Sequence, residues 1–361
     1  TPVEAILACQ HKLHARRVLE QVCPEANLRF AGLDARYGGP VPPGLHYPAY
    51  VKPIKAAFSV LARQVDSAAD LHRHTRFGRR ELWVIRRLVE PFERVVRQRL
   101  PQAGTAHRML LEEPLQAPQF NLDGWVFQGR AHALGVVDAV MYPGTQAFMR
   151  WEHPSRLGAA VQARALDVAQ RFLSAVGFTH GLFNIEFFYD AGTDRLTVIE
   201  VNPRLASQFS DLYRRVHGVD PHAMSLALAQ GQDPAALPRC APVGGAAASL
   251  VYRAFAAGES PPMPHARQQA ELARQFPDAL LFMYPKAGHS LARDFKWLGS
   301  HRYGIVHLHG ANPAHLRRRA EAASALIGWT PPYADGQVPA PTGADAAADP
   351  TDPPLISGAT P

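Results

Sequence analysis

Two glutamates stand in a part of the sequence whose pattern predicts a β-hairpin. Two runs of alternating residues surround a turn-forming stretch at residues 191–195, which is typical of antiparallel strands joined by a short loop. If this stretch forms the loop, Asp190 faces Leu196, and the same register places Glu186 opposite Glu200. The pattern therefore predicts two carboxylates side by side on neighbouring strands.

A pair of facing carboxylates needs a positive partner. Facing Cβ atoms lie roughly 4.5–5.5 Å apart, a distance at which like charges destabilise a sheet. At an effective dielectric near 20, their repulsion is about 3–4 kcal/mol. A shared proton, an Arg or Lys, or a metal ion would offset this repulsion. The alternative is a solvated sheet face on which Glu186 and Glu200 each pair with an arginine.

The neighbours of Glu200 favour a metal ion that carries phosphates. Strand alternation puts Asn202 on the same face as Glu200, and two carboxylates with an amide oxygen form a set of hard ligands that suits Mg²⁺. Arg204 follows the strand, where its guanidinium is placed to bind a phosphate through two hydrogen bonds.

The elements that must position this hairpin are predicted from periodicity and capping signals. Apolar residues recur at helical spacing over residues 156–176 and 79–100, and Pro91 interrupts the second run. A Ser-x-x-Asp pattern at Ser67 resembles a capping box and predicts a further helix. The remaining predictions are a short apolar segment at 3–7, a helix near 12–22, and strands at 47–52, 59–65, 108–115 and 120–140.

Length and composition limit the class of protein. The 361 residues are 47% hydrophobic and 19% charged, which supplies a packed core and excludes global disorder. Since no apolar run approaches 18 residues, we expect no membrane span. Three cysteines without a CxxC spacing argue against a disulfide framework and favour a reducing cytosol. The net charge of +7 fits either a nucleic-acid binder or an enzyme for anionic substrates.

Two other clusters are weaker candidates for function. Arginines recur between Arg79 and Arg99 on a helix whose apolar residues share one face. Such arginines are usually solvated, so we expect no nucleic-acid partner. His307 and His309 share one face of a predicted strand, which would suit a metal ion, but no third ligand stands near them in the sequence. We therefore interpret both histidines as structural.

The hairpin motif resembles a known superfamily. Glu186 followed by Glu200-Val-Asn202-Pro-Arg204 is similar to the magnesium-binding end of the ATP-grasp superfamily, which includes biotin carboxylase, carbamoyl-phosphate synthetase large chains and D-alanine–D-alanine ligase. Other segments match in the same order: Tyr-Val-Lys-Pro at 50–53 resembles the strand with a nucleotide-binding lysine, Leu-Leu-Glu-Glu-Pro-Leu at 110–115 the hinge against adenine, and residues 119–124 the next strand. The resemblance covers roughly residues 5–230.

The resemblance implies a role for each matching residue. Glu186, Glu200 and Asn202 would hold Mg²⁺ or Mn²⁺, and Arg204 together with Lys52 would act on the transferred phosphoryl group. The other matching residues would contact ATP: Lys12, Lys52, Lys55 and Ser59 at the phosphates, Glu112, Glu113 and Leu115 at adenine, and Gln119 at the ribose.

Two features depart from the superfamily's pattern. The loop that covers the phosphates is usually rich in glycine, because backbone N–H groups approach the phosphates closely. Ala56 and Ala57 stand there in this chain, so Lys55 and Ser59 would supply donors instead. Relatives also carry an α/β domain before the ATP lobes, and Thr1 begins about where we expect that domain to end.

The resemblance implies an α+β fold of the ATP-grasp type. Two α+β lobes would enclose Mg-ATP, and a mixed C-terminal domain would follow them. The predicted divisions are a linker and helical remnant of a preceding region at 1–46, lobe 1 at 47–115, lobe 2 with the metal hairpin at 116–233, a mixed α/β unit at 234–330 and a disordered tail at 331–361.

The implied activity is ATP-dependent ligation, in which a carboxylate becomes an acyl phosphate and an amine then displaces phosphate. The alternatives are a biotin-carboxylase-like enzyme that uses bicarbonate, and a non-catalytic nucleotide-binding module, which Ala56 and Ala57 favour. We expect small-molecule carboxylates and amines as partners, no nucleic acid, no membrane and a cytoplasmic location. A homodimer is one candidate assembly.

Overall fold

Two antiparallel β-sheets organise the chain. The computed structural model describes residues 1–33, 46–56, 61–256, 258–259 and 261–333, except for the side chains of residues 296 and 297. The strands, in chain order, are β1 (Phe30–Leu33), β2 (Ala49–Pro53), β3 (Arg63–Val65), β4 (Met109–Glu112), β5 (Gln119–Phe127), β6 (Arg130–Met141), β7 (Phe148–His153), β8 (Gly181–Asp190), β9 (Arg195–Asn202), β10 (Ala246–Ala254), β11 (Leu280–Met283) and β12 (His301–Gly310). The α-helices are α1 (Val3–Gln10), α2 (Lys12–Val22), α3 (Ala68–Thr75), α4 (Arg79–Arg99), α5 (Ala159–Ala175), α6 (Ser210–His217), α7 (Pro221–Ala229), α8 (Ala266–Gln275), α9 (Gly288–Leu298) and α10 (Pro313–Ile327).

Helices α2 to α5 form where periodicity and capping predict them. The hydroxyl of Ser67 accepts a hydrogen bond of 3.1 Å from the backbone N–H of Asp70 and so caps α3. Helix α4 contains Pro91 in its interior, and Gly177 follows α5 with a φ of 76° that favours glycine. The apolar segment at 3–7 belongs to α1, a helix that the sequence did not predict.

The smaller sheet has the strand order β1-β4-β2-β3 and packs against α3 and α4. Its core combines Val51 and Leu111 from the central strands with Leu71 and Ile85 from the helices. Strand β3 begins at Arg63, later than the strand predicted over 59–65, of which residues 59 and 60 lie outside the described residues. Three of its strands come from predicted lobe 1, and β1 comes from the predicted linker at 1–46.

The larger sheet has the strand order β11-β12-β10-β7-β6-β5-β8-β9, and every neighbouring pair is antiparallel. Strands β10 to β12 come from the predicted C-terminal unit, yet β10 pairs directly with β7. One continuous sheet therefore runs across the predicted boundary at residue 234. The division into units stays a prediction, and most of the predicted tail at 331–361 lies outside the described residues.

Helices cover the two faces of the larger sheet unequally. On one face, Phe172 of α5 and Leu19 of α2 pack against Phe183 and Val198 of the sheet. Helices α8 and α10 cover β10 and β12 on that same side. On the other face, α6 and α7 cover part of the sheet through apolar side chains. The polar residues of β5, β8 and β9 lie on this second face.

Candidate active site

The hairpin of β8 and β9 brings the two predicted glutamates together. Glu186 pairs with Glu200 in the strand register, as the sequence predicted. At the tip the register differs from the prediction, because Asp190 faces Arg195 rather than Leu196. A bulge between the tip and the glutamates adds one residue to β9 and corrects this offset.

The hairpin separates an apolar face from a polar face. Phe183, Ile185, Phe187, Val198 and Val201 all belong to the core under α5. Because successive side chains of a strand point to opposite faces, Glu186 and its cross-strand partner lie on the face away from α5. Their carboxylates are half-buried beside the polar residues of β5.

Among the described residues, no cation pairs directly with the carboxylate of Glu186. Its oxygens accept hydrogen bonds from Gln119 Nε2 at 3.0 Å and from Asn202 Nδ2 at 3.4 Å. Burial, and after it the charge of Glu200, raises the pKa of Glu186. Gln119 was predicted at the ribose, and the structure places it on this carboxylate.

Glu200 is the carboxylate of the pair that has a cationic partner. Lys12 Nζ lies 2.9 Å from its Oε2 and 3.3 Å from the carbonyl oxygen of Ala56. Burial acts to raise the pKa of Glu200, but the charge and hydrogen bond of Lys12, with smaller effects of Lys52 and Asn202, together outweigh it and lower that pKa. An amine thus supplies the offset that the repulsion of two facing carboxylates requires.

A second polar row extends the site toward the interior. Asn184 Nδ2 donates to Asp123 Oδ1 at 3.2 Å, and the Tyr213 hydroxyl donates to Asp123 Oδ2 at 2.8 Å. Burial raises the pKa of Asp123 to about 7. Asn121 faces Glu186 from β5 and is buried, and its Oδ1 accepts no hydrogen bond from the described residues.

Comparison with known proteins places this arrangement in a fold. No family model matches the sequence. Over 202 residues the chain is 30% identical to carnosine synthase 1 of Gallus gallus, an alignment that covers 54% of this chain and 20% of that protein. The chain therefore matches about a fifth of the length of this curated relative.

Solved structures match most of the chain. An L-amino acid ligase from Bacillus licheniformis gives a TM-score of 0.59 at 17% identity and covers 90% of this chain and 72% of that one. Biotin carboxylase from Campylobacter jejuni gives a TM-score of 0.59 at 16% identity, and the match covers 90% of this chain and 68% of that one. The chain has the ATP-grasp fold. A third solved structure is an N5-carboxyaminoimidazole ribonucleotide synthetase from Thermus thermophilus. It gives a TM-score of 0.57 at 17% identity, and the match covers 91% of this chain and 76% of that one.

A buried cluster of three charges joins the parts of the ATP-grasp fold. Glu112 of β4 lies 2.6 Å from Arg16 Nε and 2.7 Å from Lys52 Nζ. The three side chains are 3%, 2% and 7% exposed, respectively. Burial acts to raise the pKa of Glu112, but the two cations outweigh it and lower the pKa. Burial, as the largest effect, lowers the pKa of Lys52.

Of the other residues predicted at the nucleotide, the structure describes Lys55, Glu113 and Leu115. Lys55 Nζ donates to Gln10 Oε1 at 2.7 Å, and burial lowers its pKa to about 8. Glu113 pairs with Arg29 at 2.7 Å and with Arg195 at 2.8 Å. Leu115 is half-buried, and Ser59 and Ala57 of the predicted phosphate loop lie outside the described residues.

Arg204 lies at the open end of the hairpin. It is exposed, and its Nη2 donates to Asn202 Oδ1 at 3.4 Å while Nη1 donates to the carbonyl oxygen of Leu205 at 3.2 Å. The guanidinium therefore lies beside Asn202, one of the predicted metal ligands, and its N–H groups make only long hydrogen bonds there. This position fits the predicted contact with a transferred phosphoryl group.

The donor set fits a hard divalent cation. The carboxylates of Glu186 and Glu200 share one face of the hairpin with the side chain of Asn202, whose Oδ1 accepts a hydrogen bond from Arg204. Among the described residues, Asn121 Oδ1 adds an unsatisfied oxygen beside Glu186. In the described part of the chain, no three His, Cys, Asp or Glu side chains cluster closely enough to hold a metal. A cation here would rely on two carboxylates completed by amide oxygens, water or phosphate.

The rival clusters found in the sequence have other partners. His307 Nδ1 lies 3.4 Å from Asp211, and His309 Nδ1 lies 2.9 Å from Asp278. On α4, several arginines pair with acidic residues, including Arg94 with Glu90. Within the described ranges, no helix combines the length and apolar character needed to span a bilayer.

Sequence reasoning missed four polar residues of the site. The strand Gln119-Phe-Asn121-Leu-Asp123 alternates polar and apolar residues, and this period-2 pattern could have identified Asn121 and Asp123. Arg16 stands one helical turn after Lys12 on α2, so helical spacing placed it on the same side. Asn184 is two residues before Glu186 in a strand, and it shares that face for the same reason.

Proposed function

We propose that the chain is an ATP-dependent ligase that joins a carboxylate to an amine through an acyl phosphate. The facing pair of Glu186 and Glu200, completed by Asn202 on the same face, is the observation that carries this proposal. This set of oxygens suits a divalent cation that binds the phosphates of a nucleotide. The ATP-grasp fold supports the same conclusion.

The reaction divides between positioning and neutralisation of charge. A substrate carboxylate oxygen attacks the γ-phosphorus, the bond to the bridging oxygen breaks, and ADP leaves with that electron pair. The amine then attacks the acyl carbon, expels inorganic phosphate and loses a proton. A bound divalent cation would screen the phosphate charge. The chain's own contribution is to present Glu186, Glu200 and Asn202 to that cation and Arg204 to the transferred group.

The lysines would act at the nucleotide. Lys12, which neutralises Glu200 at 2.9 Å, is free to turn toward a phosphate once a cation takes over that carboxylate. Lys52 lies in β2 and Lys55 follows that strand, where the predicted phosphate loop begins. Glu112, Glu113 and Leu115 would border adenine, with Gln119 between the ribose and Glu186.

We propose an amino acid as one substrate. The L-amino acid ligase among the solved structures is named for a substrate of this class, and the curated relative is named for the synthesis of carnosine. Both the carboxylate and the amine of the reaction would be small molecules. The domain divisions, the homodimer and the cytoplasmic location stay predictions.

A phosphate-release screen tests the proposed function. The purified chain is incubated with ATP, Mg²⁺ and pairs of amino acids, with bicarbonate in a parallel arm, and products are identified by mass spectrometry. The proposal expects phosphate release that depends on two amino acids and a product linked by an amide. With a carboxylate labelled with ¹⁸O, one label should appear in the released phosphate. Turnover only with bicarbonate, or binding of ATP without turnover on any pair, would refute it.

A further inference from the structure

The bulge in β9 decides which face of the sheet carries the second carboxylate. From the tip of the hairpin, Asp190 pairs with Arg195 and Phe187 pairs with Val198, whereas Glu186 pairs with Glu200. Ile199 is therefore the extra residue. In a regular ladder without the bulge, Glu186 would pair with Ile199, and the side chain of Glu200 would point to the apolar face.

The core residues of β9 show the same break in period. Val198 and Val201 both belong to the core under α5, although they are three residues apart. A regular strand returns to the same face only after two or four residues. The bulge absorbs the odd residue, and it places Glu200 and Asn202 on the polar face together.

One arginine binds both carbonyl oxygens at the bulge. Arg16 Nη1 donates to the carbonyl oxygen of Val198 at 2.7 Å, and Arg16 Nη2 donates to that of Ile199 at 3.0 Å. Consecutive carbonyls of a regular strand point in opposite directions, so only the bulged backbone offers both to one guanidinium. In the part of the chain that the structure describes, β9 is the last strand of its sheet, and no further strand competes for these oxygens.

The guanidinium itself is held rigidly. Arg16 Nε lies 2.6 Å from Glu112 Oε1, and its Nη1 also donates to Asn27 Oδ1 at 3.1 Å. Lys52 Nζ adds a weaker contact of 3.4 Å to the carbonyl oxygen of Ile199. Four donors of Arg16 thus bind fixed acceptors, and the planar fork of arginine, unlike the point charge of lysine, matches two acceptors at once.

We propose that Arg16 is a positioning residue that fixes the bulge at Ile199 and thereby sets the register in which Glu200 faces Glu186. Arg16 touches neither carboxylate, so it acts through the backbone of β9. The inference rests on the proposed function in one respect: the cation site is what makes this register necessary. The register itself can be measured without any ligand.

A disulfide reports the register directly. In a Cys240→Ser background, Glu186→Cys with Glu200→Cys places two thiols on facing residues, whose Cα separation in an antiparallel pair allows a disulfide. The expected result is rapid oxidation with wild-type Arg16, and a fall of the oxidised fraction of about tenfold with Arg16→Lys, because a one-residue slip turns one thiol to the opposite face. Arg16→Lys keeps the charge beside Glu112 and loses the fork. Equal oxidation with Arg16→Lys would overturn the proposal.

The second readout is the affinity for Mn²⁺ in the absence of ATP. It is measured by calorimetry on the chain that keeps both glutamates. Arg16→Lys should weaken Mn²⁺ roughly 10–100-fold, the range expected when an outer contact orients a ligand. The matched control is Arg164→Gln, which removes an exposed pair with Asp194 at the tip of the same hairpin. This control should leave the Mn²⁺ affinity unchanged, and an equal loss there would contradict the proposal.

Deletion of Ile199 provides a rescue. The deletion makes the ladder regular and keeps Glu200 opposite Glu186. In this background, Arg16→Lys should therefore lower neither the oxidised fraction of the cysteine pair nor the affinity for Mn²⁺. If Arg16→Lys does not fold by itself, this deletion background decides. Failure of the rescue would assign Arg16 a merely structural role and overturn the proposal. A wild-type chain that binds no Mn²⁺ but forms the disulfide in an Arg16-dependent manner would refute the proposed function and leave the register inference standing.

Discussion

Replacing Glu112 with glutamine removes the one negative charge that Arg16 and Lys52 share in the buried cluster. The carboxylate lies 2.6 Å from one cation and 2.7 Å from the other. Glutamine keeps the shape and can still accept hydrogen bonds, so the substitution isolates the charge. It leaves two neighbouring cations buried without an anion, and Lys52 has its pKa lowered by burial already.

The expected cost follows from these distances. At an effective dielectric near 20, each contact is worth about 6 kcal/mol of gross attraction, most of which offsets the desolvation of the three groups. Breaking a buried pair by removing one partner costs about 3–5 kcal/mol, because the remaining charge is uncompensated. Two stranded cations place Glu112→Gln at the upper end of that range.

Urea unfolding followed by circular dichroism measures the change in free energy of unfolding. The matched control is Glu113→Gln, the same substitution one residue later, at a half-buried site whose partners Arg29 and Arg195 are exposed to solvent. That change should cost less than about 1 kcal/mol. Equal effects of the two substitutions would refute the reasoning.

The pH dependence checks the sign of the effect. The pKa of Glu112 lies below its usual 4.5 in the folded chain, so its contribution to stability is complete above pH 4.5 and is lost as the pH falls through the lower folded value. The gap between wild type and Glu112→Gln should therefore be constant at neutral pH and close in acid. A gap that widens in acid would contradict the proposed charge state.

Three further substitutions give separate tests. Glu200→Gln should abolish Mg²⁺-dependent phosphate release while the circular dichroism spectrum is unchanged, and normal turnover would contradict its role. Lys12→Met should lower the melting temperature in the absence of divalent cations and recover on addition of Mn²⁺, because the ion replaces the lost ammonium beside Glu200; a loss that Mn²⁺ does not restore would count against this. For Asp123, whose pKa is raised to about 7, wild-type stability relative to Asp123→Asn should fall by up to about 4 kcal/mol as the pH rises from about 4 to 7 and then level off. A flat difference would show that the carboxyl is not held neutral.

The sequence predicted the facing glutamates correctly and the tip of the hairpin incorrectly. The assumed loop was one residue too long, and the bulge at Ile199 compensates for that residue. Val198 and Val201 both belong to the core although they are three residues apart, and this spacing indicates a bulge between them. A period-2 pattern alone predicts a straight strand, so it cannot locate the extra residue.

Long-range charge pairing was beyond the sequence. The contact of Arg16 with Glu112 joins residues 96 positions apart, and no local spacing encodes it. The hydrogen bond of 3.0 Å from Gln119 to Glu186 likewise joins distant positions, and the predicted contact of Gln119 with the ribose stays a prediction. Helices α2 and α5 were predictable because apolar periodicity and caps are local signals. The continuity of the larger sheet across residue 234 depends on strands paired over long distances.

The most direct test of the cation site is electron paramagnetic resonance of Mn²⁺ titrated into the chain without ATP, which would itself bind the ion, for wild type and for the double substitution of Glu186→Gln and Glu200→Gln. Glu25→Gln, on the surface beside Arg171, serves as the control. The facing carboxylates predict that wild type and control remove the signal of free Mn²⁺ at saturation, while the double variant leaves it in solution. Equal binding by all three chains would show that the cation, if it binds, does not use this pair.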